Sequence, residues 1–184
     1  RDRYDRIFNT PSRKFEFYST SLENRLKETG KVSTRLACLP HYEEAEFLGN
    51  EESYPLMLST YQPLLNIENG HQNYPWAQEM FLVMHGAGWT NFVEINSQTG
   101  RALGIRDGEM VWVESPFNRL KVRARVIEGI HPRVVSISNG QGHYADGEWQ
   151  KGIGVNPNEI IGVDYDHLSG QSSLFNTRVK VYKA

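Results

Sequence analysis

The stretch LKVRARVIE, Leu120 to Glu128, alternates without a break. Leu120, Val122, Ala124 and Val126 fall on one side, Lys121, Arg123 and Arg125 on the other. Side chains of a strand point alternately to its two faces, so this period predicts one dry face and one wet face. A strand of this kind needs paired neighbours and an apolar cover. The chain offers five more short segments that could supply both: PLMLST, NFVEIN, EMVWVES, HPRVVSIS and TRVKVYK. In NFVEIN, Phe92, Glu94 and Asn96 face opposite to Val93 and Ile95. The Asp-Gly of IRDG is a turn signal before EMVWVES, and SQTGRALG, Ser97 to Gly104, reads as one short helix. Six short strands, glycine-rich turns and one or two helices predict a mainly β fold, a small closed barrel rather than a parallel α/β sheet.

The first 52 residues have a different texture. KFEFYS alternates and predicts an edge strand. SLENRLKETG predicts a short helix capped by Ser21 and ended by Gly30. PHYEEAEFLGNEESYP is acidic and reads as a solvated linker. Residues 1–52 are therefore expected to be an extension of a preceding domain, and residues 53–184 the barrel. The chain opens without Met and without a signal-peptide core, so it reads as a piece of a longer polypeptide or as a processed chain.

Composition narrows the function. A net charge of −2 over 184 residues gives no electrostatic case for nucleic acid. The longest apolar run, MFLVM, is far too short to span a bilayer. Cys38 is the only cysteine, so this chain's thiols alone cannot build a disulfide, a zinc site or an iron–sulfur site. The histidines have no paired spacing for a metal. Nucleophile-elbow, phosphate-loop and dinucleotide-loop motifs are absent, and HGAGWTN lacks phosphate-loop spacing. Arg123 and Arg125 read either as a solvated strand face or as a contact with protein outside the chain.

What remains is a set of loops rich in glycine and amides. STYQPLLNIENGHQNYPW carries Gln62, Asn66, Asn69, Gln72 and Asn73; SNGQGHYADGEWQKGIG follows the fifth strand; GVNPNEI and LFNT bring Asn156, Asn158 and Asn176. An amide both donates and accepts. It suits a turn, which needs no ligand, and equally a flat polar ligand that glycine lets come close. Residue types alone leave both readings open.

FNTPSRKFEFYS, LGIRDGEMVWVES, KVRARVIEGIHPRVV, GQGHY and GVNPNEI…LSG…NTRVKVYKA, in this order, resemble the C-terminal portion of the molybdopterin-dinucleotide oxidoreductases of the dimethyl sulfoxide reductase superfamily. The wording is most similar to the polysulfide and thiosulfate reductase-like branch. The resemblance implies a six-stranded double-psi β-barrel that closes over molybdopterin guanine dinucleotide carrying molybdenum or tungsten. It implies a metal ligand and a [4Fe–4S] cluster in earlier domains, and no catalytic residue in this stretch. It further implies an iron–sulfur electron-transfer subunit, a quinone-linked membrane subunit and a periplasmic setting. The cofactor-contacting positions carried over are Ser59, Thr60, Tyr61, Gln62, Asn66, Asn156, Asn158, Phe175, Asn176 and Thr177. Two departures stand out. Related chains often have Gly where this one has Arg13, and a His and an Arg in the first loop where this one has Asn66 and His71-Gln72. The second departure weakens phosphate contacts and keeps a rival in view: a metal-free scaffold member of a membrane redox complex. A free-standing double-psi barrel that binds protein or peptide is the third reading.

Overall fold

Apolar residues at every second position decide where the strands lie. In the computed structural model, residues 7–29, 36–66, 70–86, 88–166 and 169–184 are described, His85 by its backbone alone. Six strands close into a barrel: β1 (Leu56–Tyr61), β2 (Phe92–Asn96), β3 (Met110–Glu114), β4 (Arg119–Ile127), β5 (Val134–Ser138) and β6 (Arg178–Lys183). The order around the barrel is β1-β5-β2-β4-β3-β6. Two pairs are parallel, β1 with β5 and β2 with β4, and the others are antiparallel. Two parallel pairs linked by antiparallel neighbours are the double-psi arrangement that the family resemblance implies. Closure leaves no open sheet edge.

The barrel interior is a single apolar cluster. Leu58, Val93, Ile95, Val111, Val113, Val135, Ile137 and Val179 are almost wholly buried there. On β4, Leu120, Val122 and Ala124 point inward as the alternation predicts, while Lys121 and Arg123 stay exposed. Arg123 donates to the Gly108 carbonyl at 2.8 Å, and Arg125 lies over the Phe92 ring at 4.7 Å. The outer face of β4 is thus partly occupied by its own neighbours.

The second strand departs from simple alternation, because Phe92 and Asn96 are buried as well. Asn96 caps the next helix, α3 below: its Oδ1 accepts from the Gln98 N–H at 2.8 Å, and its Nδ2 donates to the Ile130 carbonyl at 2.7 Å.

Three helices are present among the described residues. α1 is Thr20–Glu28, α2 is Pro75–His85 and α3 is Ser97–Leu103. α3 lies where the sequence placed it and ends at Gly104, in the left-handed conformation. α2 is not in the sequence reading, which took this region as loop. Its signals were local: Pro75 at the first helical position and Gly86 as a left-handed C-cap. Trp76, Leu82 and Val83 on its surface are more than half exposed, so the polar face that would have marked a helical period is missing. The buried side holds Ala77, Gln78 and Phe81.

The chain divides into two compact units, Arg1–Ala45 and Glu46–Ala184. In the first, α1 is capped by Ser19, whose Oγ accepts from the Leu22 N–H at 3.2 Å, not by Ser21. Gly30, read as its end, lies outside the described residues; Thr29 closes the helix. KFEFYS is not a strand. Its neighbourhood is a turn in which Thr10 Oγ1 donates to the Lys14 carbonyl, and Phe8, Phe15 and Phe17 meet edge to face. Arg13 has φ +58°, a value glycine adopts freely.

The acidic stretch read as a solvated linker is tied to the barrel at residues 47–51. Leu48 exchanges backbone bonds with Asn176 and Arg178, and Glu51 pairs with both Arg133 and Arg178. Two barrel arginines draw in a carboxylate that a reading of local charge leaves in solvent.

Truncating Leu58, 1% exposed, to Ala lowers unfolding free energy by about 2–5 kcal/mol. Lys121→Ala on the wet face changes it by less than about 0.5 kcal/mol. Denaturant unfolding of the two variants beside the parent chain checks the contrast.

Candidate functional site

Parallel pairing of β1 with β5 brings their C-terminal ends, Tyr61 and Ser138, side by side. The antiparallel neighbour β2 begins at the same end of the barrel. The described parts of three connecting segments therefore meet there: residues 62–66 and 70–74 after β1, residues 88–91 before β2 and residues 139–156 after β5. Between them runs a narrow cleft of about 20 Å³, lined by Tyr61, Asn66, Asn91, Ser138, Asn139 and Gln141 over an apolar wall that includes Phe81 and Phe92.

The buried amides at this end fall into two groups. Some are fully engaged with the protein. Asn91 Nδ2 donates to the carbonyls of Ser138 and Val155, and its Oδ1 accepts from the Val155 N–H at 2.9 Å. Gln78 and Gln141 pair amide to amide, with Gln141 Nε2 donating to Gln78 Oε1 at 2.9 Å. Gln78 Nε2 also donates to the Gln72 carbonyl at 2.8 Å. These side chains stitch the loops together, as buried polar groups normally must.

The other group is not satisfied. Asn66, 1% exposed, donates its Nδ2 to the Asn139 carbonyl at 3.0 Å, but its Oδ1 has no partner among the described residues. Neither side-chain atom of the wholly buried Gln72 has a partner, nor has Asn139 Oδ1. A buried polar atom left unmatched costs about 1–3 kcal/mol. The Asn66 and Gln72 side chains close on Gly140. A methyl group there would stand 1.6 Å from Asn66 Nδ2 and 2.3 Å from Gln72 Nε2, and the backbone has φ +101°. Only glycine fits. A cradle of glycine and unmatched amides is chemically suited to a heterocycle edge that both donates and accepts.

Tyr61 adds an aromatic wall. Its phenol is pushed up to about 12 from the ordinary value of 10.0, first by burial and then by the Glu94 carboxylate. Both disfavour the phenolate, so at neutral pH the group remains a neutral donor. Nearby, Trp89 takes φ +56° in the loop entering β2, held by its Nε1, which donates to Glu79 Oε1 at 2.7 Å, and by an edge contact with Trp149. A bulky residue in the left-handed region stores strain of the kind that gathers at functional loops.

The structure brings only part of the sequence-derived set together. Tyr61 and Asn66 line the cleft, and Gln62 stands exposed at its rim. Ser59 and Thr60 lie within β1, paired with Ser136 and Ile137. Asn156 is a turn residue: its Oδ1 accepts from the Asn158 N–H at 3.1 Å at the start of the short 3-10 turn Pro157–Glu159. The Asn158 side chain is exposed. Phe175 is 60% exposed, and Asn176 Nδ2 donates to Asp164 at 2.5 Å while its Oδ1 is buried without a partner. Thr177 is wholly buried and its Oγ1 accepts from the Gly162 N–H at 3.0 Å. Asn156 and Thr177 therefore serve the fold. Asn69, noted in the first loop, lies outside the described residues. Asn91, Asn139 and Gln141 were missed as site residues; the loop of Asn139 and Gln141 was flagged as amide-rich and that of Asn91 was not, and no local spacing separates a stitching amide from an unmatched one.

Among the described residues no group of three or more His, Cys, Asp or Glu could hold a metal, and no helix is long and apolar enough to cross a membrane.

Comparison with known proteins bears on this geometry. The family model described as Molydopterin dinucleotide binding domain matches residues 56–178, which spans the barrel from β1 to the start of β6. The molybdopterin-containing subunit of arsenate respiratory reductase from Shewanella sp. (strain ANA-3) is 34% identical over 96% of this chain and 23% of its own length. The molybdopterin-containing subunit of thiosulfate reductase from Salmonella typhimurium is 29% identical over 73% of this chain and 15% of its own length. The chain thus spans about a quarter or less of the relatives it matches. Acetylene hydratase from Pelobacter acetylenicus shares the fold, with a TM-score of 0.70 and 22% identity over 95% of this chain and 24% of its own.

Two outcomes follow from the site geometry. Asn91→Ala removes three hydrogen bonds and lowers stability by roughly 1–3 kcal/mol, whereas Asn158→Ala leaves unfolding within about 0.5 kcal/mol of the parent; thermal melts of both measure this. The Tyr61 phenol, raised from 10.0 to about 12, contributes stability that is complete below pH 10 and lost as pH rises toward 12. Ultraviolet titration beside Tyr61→Phe isolates that one phenol, and alkaline unfolding of the pair shows the difference in the same window.

Proposed function

This chain belongs to the molybdopterin-dinucleotide-binding domain family, and we propose that it is the C-terminal part of a larger molybdenum or tungsten oxidoreductase, closing over a bis-molybdopterin guanine dinucleotide cofactor. The observation that carries the reading is the barrel end itself. Unmatched amides and a glycine cradle stand where the loops after β1 and β5 meet. When bound, the cofactor supplies the two-electron redox chemistry at its metal. The chain's own residues bind and orient it. Asn66 and Tyr61 meet it in the cleft, and Gln62, Asn158, Phe175 and Asn176 present polar and aromatic surface along the rim. Ser59, Thr60, Asn156 and Thr177 hold these elements in place from within the fold.

In this reading the substrate is a small inorganic sulfur or oxyanion species, handled by oxygen- or sulfur-atom chemistry at the metal. The names of relatives that act on thiosulfate and arsenate support that class. The metal-ligating residue and a [4Fe–4S] cluster are contributed by protein outside these 184 residues, with an iron–sulfur subunit and a quinone-linked membrane subunit as electron partners. The extension that belongs with the preceding domain is the unit Arg1–Ala45.

The second reading, a metal-free scaffold, is favoured by one feature: the first loop carries Asn66 and His71-Gln72 instead of a cationic pair for phosphate. Metal analysis and pterin fluorescence of the full-length protein separate the two. Molybdenum or tungsten with about two pterins per chain is the expected result for this cofactor class; a full-length protein with neither overturns it. Residues 1–184 alone reduce neither thiosulfate nor a quinone analogue, and turnover by this piece would equally sink the reading.

A further inference from the structure

Thr177 is held from two sides. On one, Leu58 of β1 donates its N–H to the Thr177 carbonyl at 3.0 Å. On the other, Leu48 brackets it: the Leu48 N–H donates to the Asn176 carbonyl at 2.8 Å, and the Leu48 carbonyl accepts from the Arg178 N–H at 2.9 Å, which makes a parallel bridge. The Leu48 side chain reaches the other leg of the same fold-back. A methyl group on Gly162 would stand 2.4 Å from Leu48 Cδ1, and the Gly162 N–H donates to Thr177 Oγ1 at 3.0 Å. Between the legs Tyr165 pairs antiparallel with Ser172. The Asp164 carbonyl accepts from the Ser173 N–H at 3.0 Å, and its carboxylate accepts from Asn176 Nδ2 at 2.5 Å. Leu48 therefore bears on both ends of the fold-back that carries Phe175 and Asn176.

Charge keeps Leu48 there. The Arg178 side chain is 11% exposed, and its guanidinium lies over the Phe47 ring at 4.7 Å. Its Nη2 donates to Glu51 Oε2 at 3.0 Å, while Nη1 is buried with no partner among the described residues. Glu51 Oε1 accepts from Arg133, so one carboxylate joins two barrel arginines. A buried cation that loses its counter-charge is strongly disfavoured. Without the Glu51 carboxylate the Arg178 guanidinium is drawn toward water, and its departure removes the stacking that holds Phe47 beside Leu48.

We propose that Phe47–Glu51 is a strap that sets the position of Phe175 and Asn176, with Glu51 as its lock. In this role Glu51 meets no ligand itself: it is a positioning residue that acts through Arg178 and Leu48. The proposal rests on the cofactor reading above, in which Phe175 and Asn176 form part of the rim. It adds a control point outside that rim, in a stretch whose composition reads as solvated linker. A carboxylate that only stabilised the barrel as a whole would change global opening, whereas a lock changes the local opening of the residues its strap holds.

The test uses full-length protein with Glu51→Gln, which removes the charge, and Glu51→Lys, which reverses it. Val122→Ala, which opens a cavity inside the barrel at a residue 3% exposed, is the control for general destabilisation. The first measurement is hydrogen exchange in protein made by a host that cannot synthesise pterin cofactor. Exchange over residues 171–178 speeds up about tenfold in Glu51→Gln, the effect of losing one hydrogen bond to a charged group, and further in Glu51→Lys. Residues 119–127 exchange as in the parent in both. In Val122→Ala, residues 119–127 speed up at least as much as residues 171–178. The second measurement is cofactor release from protein made in a cofactor-competent host, at a temperature where all four proteins are folded by circular dichroism. Glu51→Lys releases cofactor fastest, Glu51→Gln next, and Val122→Ala at the parent's rate. Four results overturn the proposal: unchanged exchange over residues 171–178 in Glu51→Lys, a rise shared equally by residues 119–127, cofactor release from Val122→Ala as fast as from the Glu51 variants, or parent-like release from a Glu51→Lys protein whose 171–178 segment has loosened. The last means that the strap holds the segment and the segment does not seat the cofactor. A parent protein that carries no cofactor when made in the competent host counts against the cofactor reading, while the exchange pattern still decides whether Glu51 locks the strap.

Discussion

The parallel pairing of β1 with β5 is the constraint on which the polar end of the molecule depends. It runs in register from Met57 with Val134 to Tyr61 with Ser138. Parallel strands end at the same side, so the long loops that follow them leave from adjacent points. Antiparallel partners would have sent these loops to opposite ends. The pairing is held by burial: Leu58, Val135 and Ile137 point into the same dry interior, and a one-residue slip would turn all of them outward.

At that shared end, buried amides do two physically different jobs. Asn91, Gln78 and Gln141 replace backbone hydrogen bonds that irregular loops cannot make among themselves, and they stabilise the loops. Asn66, Gln72 and Asn139 carry unmatched atoms that stabilise nothing in the protein alone, although Asn66 Nδ2 still donates to the Asn139 carbonyl. The contrast is informative, because Asn66 and Gln72 are as hidden from water as Asn91, Gln78 and Gln141. A fold that keeps unmatched amides is less stable than it could be, which is the usual compromise between stability and binding.

The same compromise shows on the surface. The outer side of α2 exposes Trp76, Leu82 and Val83, where a helix facing only water carries polar residues. This departure from amphipathicity hid the helix from a periodicity search. The acidic linker reading failed for a related reason. Glu51 meets Arg133 and Arg178, residues 82 and 127 positions away, and long-range charge pairing leaves no trace in local composition.

The sequence by itself determined the barrel's strands and inner face. A period of two requires only that each strand bury one side, and that demand is local; Leu120, Val122 and Ala124 obey it. It also determined α3, whose Asn96 cap and Gly104 stop are neighbours in the chain. It flagged the amide-rich loops without deciding between a turn and a ligand, and only the family resemblance put Tyr61 and Asn66 among the candidate contacts. What only the tertiary structure decided is which amides are free to bind. Asn156 and Asn139 look alike in sequence, each beside a turn. One spends its oxygen on the N–H two residues ahead, and the other's is buried with no partner. The difference depends on atoms brought together from residues 66, 72 and 140, across separations that no local pattern encodes.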